Sequence, residues 1–287
     1  MNRRFLFLAI VLCAAITLFA QAKKDVLCVY NFTYSSNVGS NYAEMLRNTV
    51  IDGINKTGRL KIVDTKNDEI MKAEISRRMS ENALNEENAL IESIKTLGAK
   101  YIMTGHLASL ATTSKSNNGK TWYTAKATYQ IKIFNVADGA VICNDTREST
   151  TSFLSTHTTA DDARSEAIKY ASLNLDDFVN KYFPVIGSVI EIAEAKKDEA
   201  KKVYIDLGSD LGITKGQKFD VREEREIAGR KINKVIGELK VESVEAGDIS
   251  LCKVTKNGKA IQAAFNEGKK LSIITKVDNS IFEDVDF

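Results

Sequence analysis

Apolar and polar positions in the first part of the chain follow strand and helix periods in turn. Asp25–Phe32 is an apolar run of the length expected for a buried strand. Ser40 predicts the N-cap of a helix that ends near Gly58. One stripe of this helix is apolar at steps of three and four, with Ala43, Leu46, Val50 and Ile54.

Three further elements are predicted before Gly98. They are a strand at Arg59–Asp64 and charged helical stretches at about 67–79 and 85–97. The order strand, helix, strand, helix favours an α/β domain in which helices flank a sheet.

The strongest period-two pattern lies at Tyr123–Ile133, where odd positions are apolar and even positions are polar. This pattern predicts a long strand with one wet face. We expect it to pair with Lys100–Leu110 through a polar loop at Thr113–Lys120, and with a strand that starts at Ala140 beyond the Asp138-Gly139 turn. These three strands form an antiparallel meander, so the sheet is expected to be mixed.

A long helix is predicted to start after Thr158 and Thr159. Asp161 and Asp162 complete a start that resembles a capping box, and the helix dipole explains these acids better than catalysis does. One face of the helix is apolar: Ala163, Ala167, Ala171, Leu175, Phe178 and Tyr182. Pro184, the only proline, follows and marks the predicted domain boundary.

Beyond Pro184 the pattern changes to short strands separated by turns. The predicted strands are Gly187–Ile192, Lys202–Asp206, Lys218–Val221, Val235–Val244, Ile249–Val254 and Leu271–Ile274. The predicted fold class is therefore an α/β (α+β) domain with a mixed sheet and flanking helices at 23–184, followed by a small all-β, barrel-like domain at 185–277. Residues 278–287 form an acidic tail.

The first 22 residues predict an export signal. Arg3 and Arg4 precede the apolar run Phe5–Ala20, and Ala20-Gln21-Ala22 offers the small-x-small pattern that a signal peptidase recognises through Ala20 and Ala22. The run is shorter than the ~20 apolar residues of a membrane span, so we expect cleavage after Ala22 rather than a permanent anchor. Cys13 lies inside the run instead of after it, which argues against a lipid anchor.

The composition excludes several classes of protein. The chain has 287 residues, of which 44% are hydrophobic and 27% charged, as in a globular protein. Removal of residues 1–22 leaves 38 of the 40 basic residues against 38 acidic ones, so nothing resembles the basic surface of a nucleic-acid-binding protein. Cys28, Cys143 and Cys252 are an odd set without close spacing, so we expect buried free thiols rather than disulfides or a zinc site.

No catalytic, cofactor or metal site is predicted. Gly119-Lys120-Thr121 resembles the end of a phosphate-binding loop, but Ser114 stands where the leading glycine is required. The two histidines, His106 and His157, have no partner at metal-ligand spacing. An enzyme would need carboxylates brought together by the fold, and the candidates Asp206, Asp210 and Asp220 are better explained as turn and strand-edge acids.

Residues 25–183 resemble the curli assembly and transport component (CsgG) family, which is related in fold to periplasmic activators of penicillin-binding proteins. The matching segments are Val26–Phe32, Gly58–Asp64, Gly98–His106 and Ile131–Ile142. The second domain resembles the C-terminal domain of the flagellar ring protein FlgT, through Val203–Gly208, Leu211–Val221 and Ile236–Val244. Both resemblances imply assemblies of the cell envelope rather than chemistry.

The chain departs from the curli pore at two connections. Thr113–Lys120 and Glu148–Thr159 are short and polar, whereas a membrane strand needs about nine to eleven residues with an apolar row. We therefore expect a non-enzymatic scaffold or assembly protein of the periplasm or outer membrane that lacks the pore hairpins. A regulator of a peptidoglycan synthase and a carboxylate-dependent hydrolase are the alternatives. The expected partners are envelope proteins, with a homo-oligomer and peripheral membrane association left open, and with no nucleic acid and no cofactor.

Overall fold

A computed structural model describes residues 24–82, 86–152, 154–173 and 175–277. A five-stranded mixed sheet with helices is followed along the chain by a closed six-stranded antiparallel barrel. The predicted fold class is thereby confirmed. The export signal, including Ala20 and Ala22, and the acidic tail lie outside the described residues. The division at Pro184 into domains that fold separately stays a prediction.

The sheet has the strand order β2-β1-β3-β4-β5. Its strands are β1 (Val26–Tyr34), β2 (Lys61–Asp64), β3 (Tyr101–Asn117), β4 (Lys120–Asn135) and β5 (Val141–Thr150). β1 runs parallel to both β2 and β3, whereas β3, β4 and β5 form the predicted antiparallel meander. On β4 the burial alternates as the sequence predicts, with the odd positions from Ala125 to Ile133 buried.

Helices cover the two faces of the sheet unequally. They are α1 (Ser40–Lys56), α2 (Glu69–Asn82), α3 (Glu86–Thr96), α4 (Ala160–Lys169) and α5 (Leu175–Tyr182). The larger core lies between the sheet and α1, α4 and α5, and includes the predicted stripe of α1. A smaller core, with Cys28, Met71 and Ile94, lies under α2 and α3. β1 is therefore buried on both faces, which explains its continuous apolar run.

Two predictions about helix ends need correction. Gly39 is the N-cap of α1 and Ser40 is its first helical residue, without a side-chain cap. The single helix predicted after Thr159 is interrupted by a 3₁₀ turn at Tyr170–Ser172, which ends at the extended residue Leu173. The predicted cap itself is confirmed, because the Thr159 hydroxyl accepts a hydrogen bond from the backbone N–H of Asp162 at 3.1 Å.

The predicted polar loop at Thr113–Lys120 is wrong. β3 and β4 stay paired from Thr113 opposite Thr124 to Asn117 opposite Lys120, and only Asn118 and Gly119 form the turn. Both turn residues have positive φ, 49° and 73°, which is the backbone geometry that an Asn-Gly pair adopts in a two-residue hairpin. The strands continue because cross-strand pairing does not require apolar side chains where both faces meet water.

The barrel closes in the order β10-β7-β6-β11-β8-β9. Its strands are β6 (Ile186–Lys196), β7 (Glu199–Ile205), β8 (Lys218–Ile227), β9 (Arg230–Val244), β10 (Ser250–Lys256) and β11 (Leu271–Thr275). Inward side chains such as Phe219, Leu239 and Ile273 are fully buried. Closure removes the unpaired edges that an open sheet of this size would expose.

One barrel element is absent from the prediction, the helix α6 (Gly258–Asn266). Its residues Ile261 and Ala264 are buried in the barrel core, so α6 closes over the interior. Its apolar positions 260, 261, 264 and 265 carry a helical period, although over only nine residues. The other difference is length, because β8 and β9 stay paired through charged residues as far as Ile227 opposite Arg230.

A buried arginine joins the two parts of the molecule. The Nε atom of Arg59 donates to the carbonyl of Leu211 at 2.8 Å, and its two terminal nitrogens donate to the carbonyl of Phe183 at 3.0 Å and to the Asn180 side chain at 3.3 Å. Only 6% of Arg59 is exposed. A side chain at Gly212 would collide with the carbonyl of Thr57, so the barrel lies directly against the end of α1.

We predict that Arg59→Met lowers the free energy of unfolding by about 3 kcal/mol, because two backbone carbonyls lose a buried donor. Urea denaturation measures this loss, and limited proteolysis is expected to cut faster near Pro184. Arg230→Met, at an exposed hairpin position, is the matched control and should change little. Equal urea midpoints for the two variants would contradict the role of Arg59.

Candidate functional site

None of the described helices covers the second face of the sheet over its antiparallel half. There the side chains are polar and half-buried or exposed, as the period-two pattern of β4 predicts. We call the following six residues the open face: Thr104 and His106 of β3, Gln130 and Lys132 of β4, and Asn144 and Thr146 of β5. α2 and α3 pack instead on β1, β2 and the start of β3.

Strand register places three of these polar side chains in one row with Thr33 of β1. His106 lies opposite Gln130, which lies opposite Thr146, and Thr33 of β1 continues the row on the other side of His106. Directly opposed residues have their Cβ atoms about 4.5–5.5 Å apart, so the row spans four strands without a gap. The open face is thus a continuous polar surface.

Hydroxyl groups hold His106 within this row. Its Nδ1 atom lies 2.8 Å from the Thr33 hydroxyl and its Nε2 atom 3.3 Å from the Ser35 hydroxyl. A hydroxyl can donate or accept, so both nitrogens of a neutral imidazole are satisfied. His106 is therefore a fixed part of the surface, and its ring nitrogens are already engaged.

A bulge in β1 forms the rim of the open face. The register shifts between Val29 and Phe32, so Tyr30 and Asn31 fall outside the regular ladder. They line a shallow depression of about 290 Å³ together with Thr104, His106, Gln130 and Lys132. The Tyr30 side chain is 37% exposed, which gives the polar surface an aromatic edge.

Arg47 of α1 supports this bulge from the interior. Its Nε atom donates to the carbonyl of Tyr30 at 2.9 Å and one terminal nitrogen donates to the carbonyl of Val29 at 3.1 Å. The guanidinium is fully buried and also forms a bidentate pair with Asp64. Burying a guanidinium without such acceptors costs much free energy. The bulge carbonyls and the Asp64 carboxylate therefore stabilise buried Arg47, and Arg47 in turn holds the bulge in place.

Asp64 stays a carboxylate at lower pH than an ordinary aspartate does. Burial by itself would raise its pKa, but hydrogen bonds from Arg47, Asn67 and the backbone of Lys66 outweigh burial and lower the pKa to about 2. Asp64 therefore keeps its negative charge beside the Arg47 guanidinium over the whole physiological range.

The β3–β4 hairpin projects from the same sheet. β5 ends opposite Lys126, so the pairs beyond it form a ribbon of only two strands. Trp122, the only tryptophan, lies opposite Lys115 on this ribbon and on the side of β4 that carries Gln130 and Lys132. The hairpin thus extends the open face beyond the body of the sheet.

The segment between β5 and α4 is hydrogen-bonded to the base of the hairpin. The backbone N–H of Tyr123 donates to the carbonyl of His157 at 2.8 Å. The Glu166 carboxylate of α4 accepts a hydrogen bond from the Ser155 hydroxyl at 2.6 Å. It also lies 2.9 Å from the Nε2 atom of His157. The Ser155 hydroxyl thus donates to a carboxylate, whereas the serine of a catalytic triad is hydrogen-bonded to the histidine.

Of the carboxylates considered for hydrolysis, Asp206 and Asp210 lie on the connection between β7 and β8, and Asp220 lies within β8. Asp206 accepts from the backbone N–H of Ser188, the backbone N–H of Asp210 donates to the carbonyl of Gly247, and Asp220 lies 3.9 Å from the Nζ atom of Lys276. In residues 24–277, apart from 83–85, 153 and 174, no group of three or more His, Cys, Asp or Glu side chains could hold a metal ion.

The three cysteines among the described residues, Cys28, Cys143 and Cys252, are buried and free, as the sequence predicts. Burial raises the pKa of the Cys28 and Cys252 thiols to about 12 and that of Cys143 to about 11. A thiol with such a pKa holds almost no thiolate near neutral pH, so none of the three is a nucleophile in the folded protein.

Within the described part of the chain, no helix combines the length and the apolar character needed to cross a membrane.

We predict that Asp64→Asn lowers the free energy of unfolding by about 3 kcal/mol at pH 7, because Arg47 loses its buried counter-charge. The pKa of Asp64 is depressed, so its contribution is present above about pH 4 and is lost as the pH falls towards 2. Urea midpoints from pH 7 down to pH 3 should show wild type and variant converging. Asp52→Asn, at an exposed position of α1, is the control. A difference that stays constant with pH would contradict the assignment.

Comparisons with known proteins give only distant similarities. No family model matches the sequence, and no curated protein matches it. The resemblances to the curli component and flagellar ring families therefore stay interpretations of the sequence.

Similar solved structures include the hypothetical protein CT253 from Chlamydia trachomatis, with 10% identity, a TM-score of 0.35 and coverage of 55% of this chain and 94% of that one. The C-terminal domain of LpoB from Salmonella enterica has 15% identity and a TM-score of 0.28, with coverage of 43% and 81%. Lipoprotein GNA1162 from Neisseria meningitidis has 6% identity and a TM-score of 0.33, with coverage of 47% and 88%. These similarities do not decide between the functions considered above.

Proposed function

We propose that this protein is a non-enzymatic assembly or scaffold protein of the cell envelope, which binds a partner protein through the open face and the β3–β4 hairpin. The observation that carries the proposal is the continuous polar row across four strands, from Thr33 to Thr146, left uncovered beside a projecting hairpin. The export signal predicted at residues 1–22 supports the envelope as the compartment.

The chemistry of the open face suits protein binding. It offers amide and hydroxyl groups that can donate and accept hydrogen bonds, and the row crosses four neighbouring strands. Tyr30 and Trp122 flank it on two sides, and these residue types contribute most to binding energy in protein interfaces. Lys132 adds a positive charge that favours a partner with an acidic or neutral surface.

The positions of the acidic residues favour binding over catalysis. The carboxylates of Asp206 and Asp220 and the backbone of Asp210 have separate partners. Hydrolysis by carboxylates requires two such groups on either side of one bond. A regulator of a peptidoglycan synthase would use the same open face, so the identity of the bound protein distinguishes a regulator from a scaffold.

We predict that a photo-crosslinking amino acid at Thr146, on the open face, captures an envelope protein in intact cells. In that background Gln130→Ala with Lys132→Ala should reduce capture about tenfold, which corresponds to about 1.4 kcal/mol. The matched control is Gln262→Ala with Lys253→Ala, which removes the same side chains from the barrel. Equal capture by both double variants would overturn the proposed site, and mass spectrometry of the captured protein separates synthase from other partners.

We also predict that the protein recovered from the envelope fraction begins at Lys23. Ala20→Leu with Ala22→Leu should retain residues 1–22, because a signal peptidase requires small residues at these positions. Ala15→Leu, within the apolar run, is the control and should leave processing unchanged. N-terminal sequencing reads out all three proteins, and a wild-type protein that still begins at Met1 would contradict export by this signal.

A further inference from the structure

The junction between the sheet part and the barrel contains a cleft of about 370 Å³. One wall comes from the end of α1, with Lys56 and Arg59, and the opposite wall comes from the barrel connection that includes Gln217. Asp176 and Asp177, in the first turn of α5, also line the cleft, as do Lys218 and Lys276 of the barrel part. Ligand sites occur preferentially at such boundaries between folded parts.

Arg59 brings to this cleft a positive charge whose hydrogen-bond acceptors are neutral. Its three acceptors are the carbonyls of Leu211 and Phe183 and the amide oxygen of Asn180, so none of them carries a negative charge. A guanidinium has five N–H groups, and these three bonds leave two of them for a further acceptor. Burial lowers the pKa of Arg59 to about 10, which still leaves the group charged at neutral pH. Arg47, by contrast, is neutralised by Asp64.

Gln217 brings an unused donor to the same cleft. Its side-chain oxygen accepts from the backbone N–H of Thr214 at 3.4 Å, which orients the amide. Its Nε2 atom is buried and has no hydrogen-bond partner among the described residues. A buried donor without a partner costs about 1–3 kcal/mol, so this amide favours the binding of an acceptor.

We propose that the cleft binds a small ligand through a carboxylate or phosphate group, received by the Arg59 guanidinium, the Gln217 amide and the Lys56 ammonium. The acceptor oxygens of such a group match the donor geometry of a guanidinium. The cleft is lined by both signs of charge, Asp176 and Asp177 as well as Lys218 and Lys276, so a compact anionic group close to Arg59 fits better than a ligand with extended negative charge. This inference does not depend on the proposed binding at the open face.

The ligand would bridge two parts of the chain. Lys56 and Arg59 come from the sheet part and Gln217 comes from the barrel, so the bound anion adds a contact across the junction. A ligand that binds only the folded state raises thermal stability in proportion to the logarithm of its concentration over Kd. Binding is therefore measurable without knowledge of the natural ligand.

The test uses the full-length protein with two probes, inorganic phosphate and succinate, titrated at ionic strength held constant with chloride. We expect at least one probe to bind with a Kd below about 10 mM in calorimetry and to raise the Tm. Binding of phosphate alone assigns a phosphate group, and binding of succinate alone assigns a carboxylate.

Lys56→Gln with Gln217→Leu should weaken binding at least about tenfold while leaving the Tm without ligand close to wild type. Lys215→Gln is the matched control, because Lys215 is exposed on the same connection but does not line the cleft. Two results would overturn the proposal: no binding of either probe at about 10 mM, or equal affinity in the double variant and the control.

Discussion

The fully buried Arg47 guanidinium is the interaction on which the sheet part depends. It connects α1, the bulge of β1 and the end of β2 through two backbone carbonyls and the Asp64 carboxylate. A strand that departs from its ladder leaves carbonyls that need another donor. Arg47 supplies this donor, and Tyr30 can therefore stand at the rim of the open face.

The two buried arginines have opposite electrostatic settings. Arg47 is paired with the Asp64 carboxylate, so the two charges compensate each other and the role of Arg47 is structural. Arg59 is surrounded by neutral acceptors and adjoins a cleft. Because the cost of a buried charge falls when a counter-charge arrives, only the second arginine gains stability from an outside anion.

Local periodicity was sufficient to predict much of the fold. The stripe of α1, the alternation on β4 and the succession of short strands after Pro184 are all signals carried by neighbouring residues. The wet face of β4 contains Gln130 and Lys132, so part of the open face could be predicted as well. The rest could not, because the row from Thr33 to Thr146 depends on strand register, and a bulge in β1 shifts that register.

Other features could not be predicted because their residues depart from the usual preferences for burial, loop composition and helix length. Charged residues are seldom fully buried, so neither Arg47 nor Arg59 stands out in the sequence. The Ser- and Thr-rich ends of β3 and β4 have the composition of a loop, and only the Asn118-Gly119 pair indicated a tight hairpin. α6 is nine residues long, which is too short for its helical period to be distinguished from a buried strand.

The free cysteines lie in three different hydrophobic cores: Cys28 under α2 and α3, Cys143 in the main core of the sheet, and Cys252 inside the barrel. No two of them can meet unless at least one core opens. A disulfide between any pair would therefore form only in molecules that are oxidised before they fold or after they unfold. In an oxidising compartment, the cysteine left out of the linked pair would identify the core that had already formed.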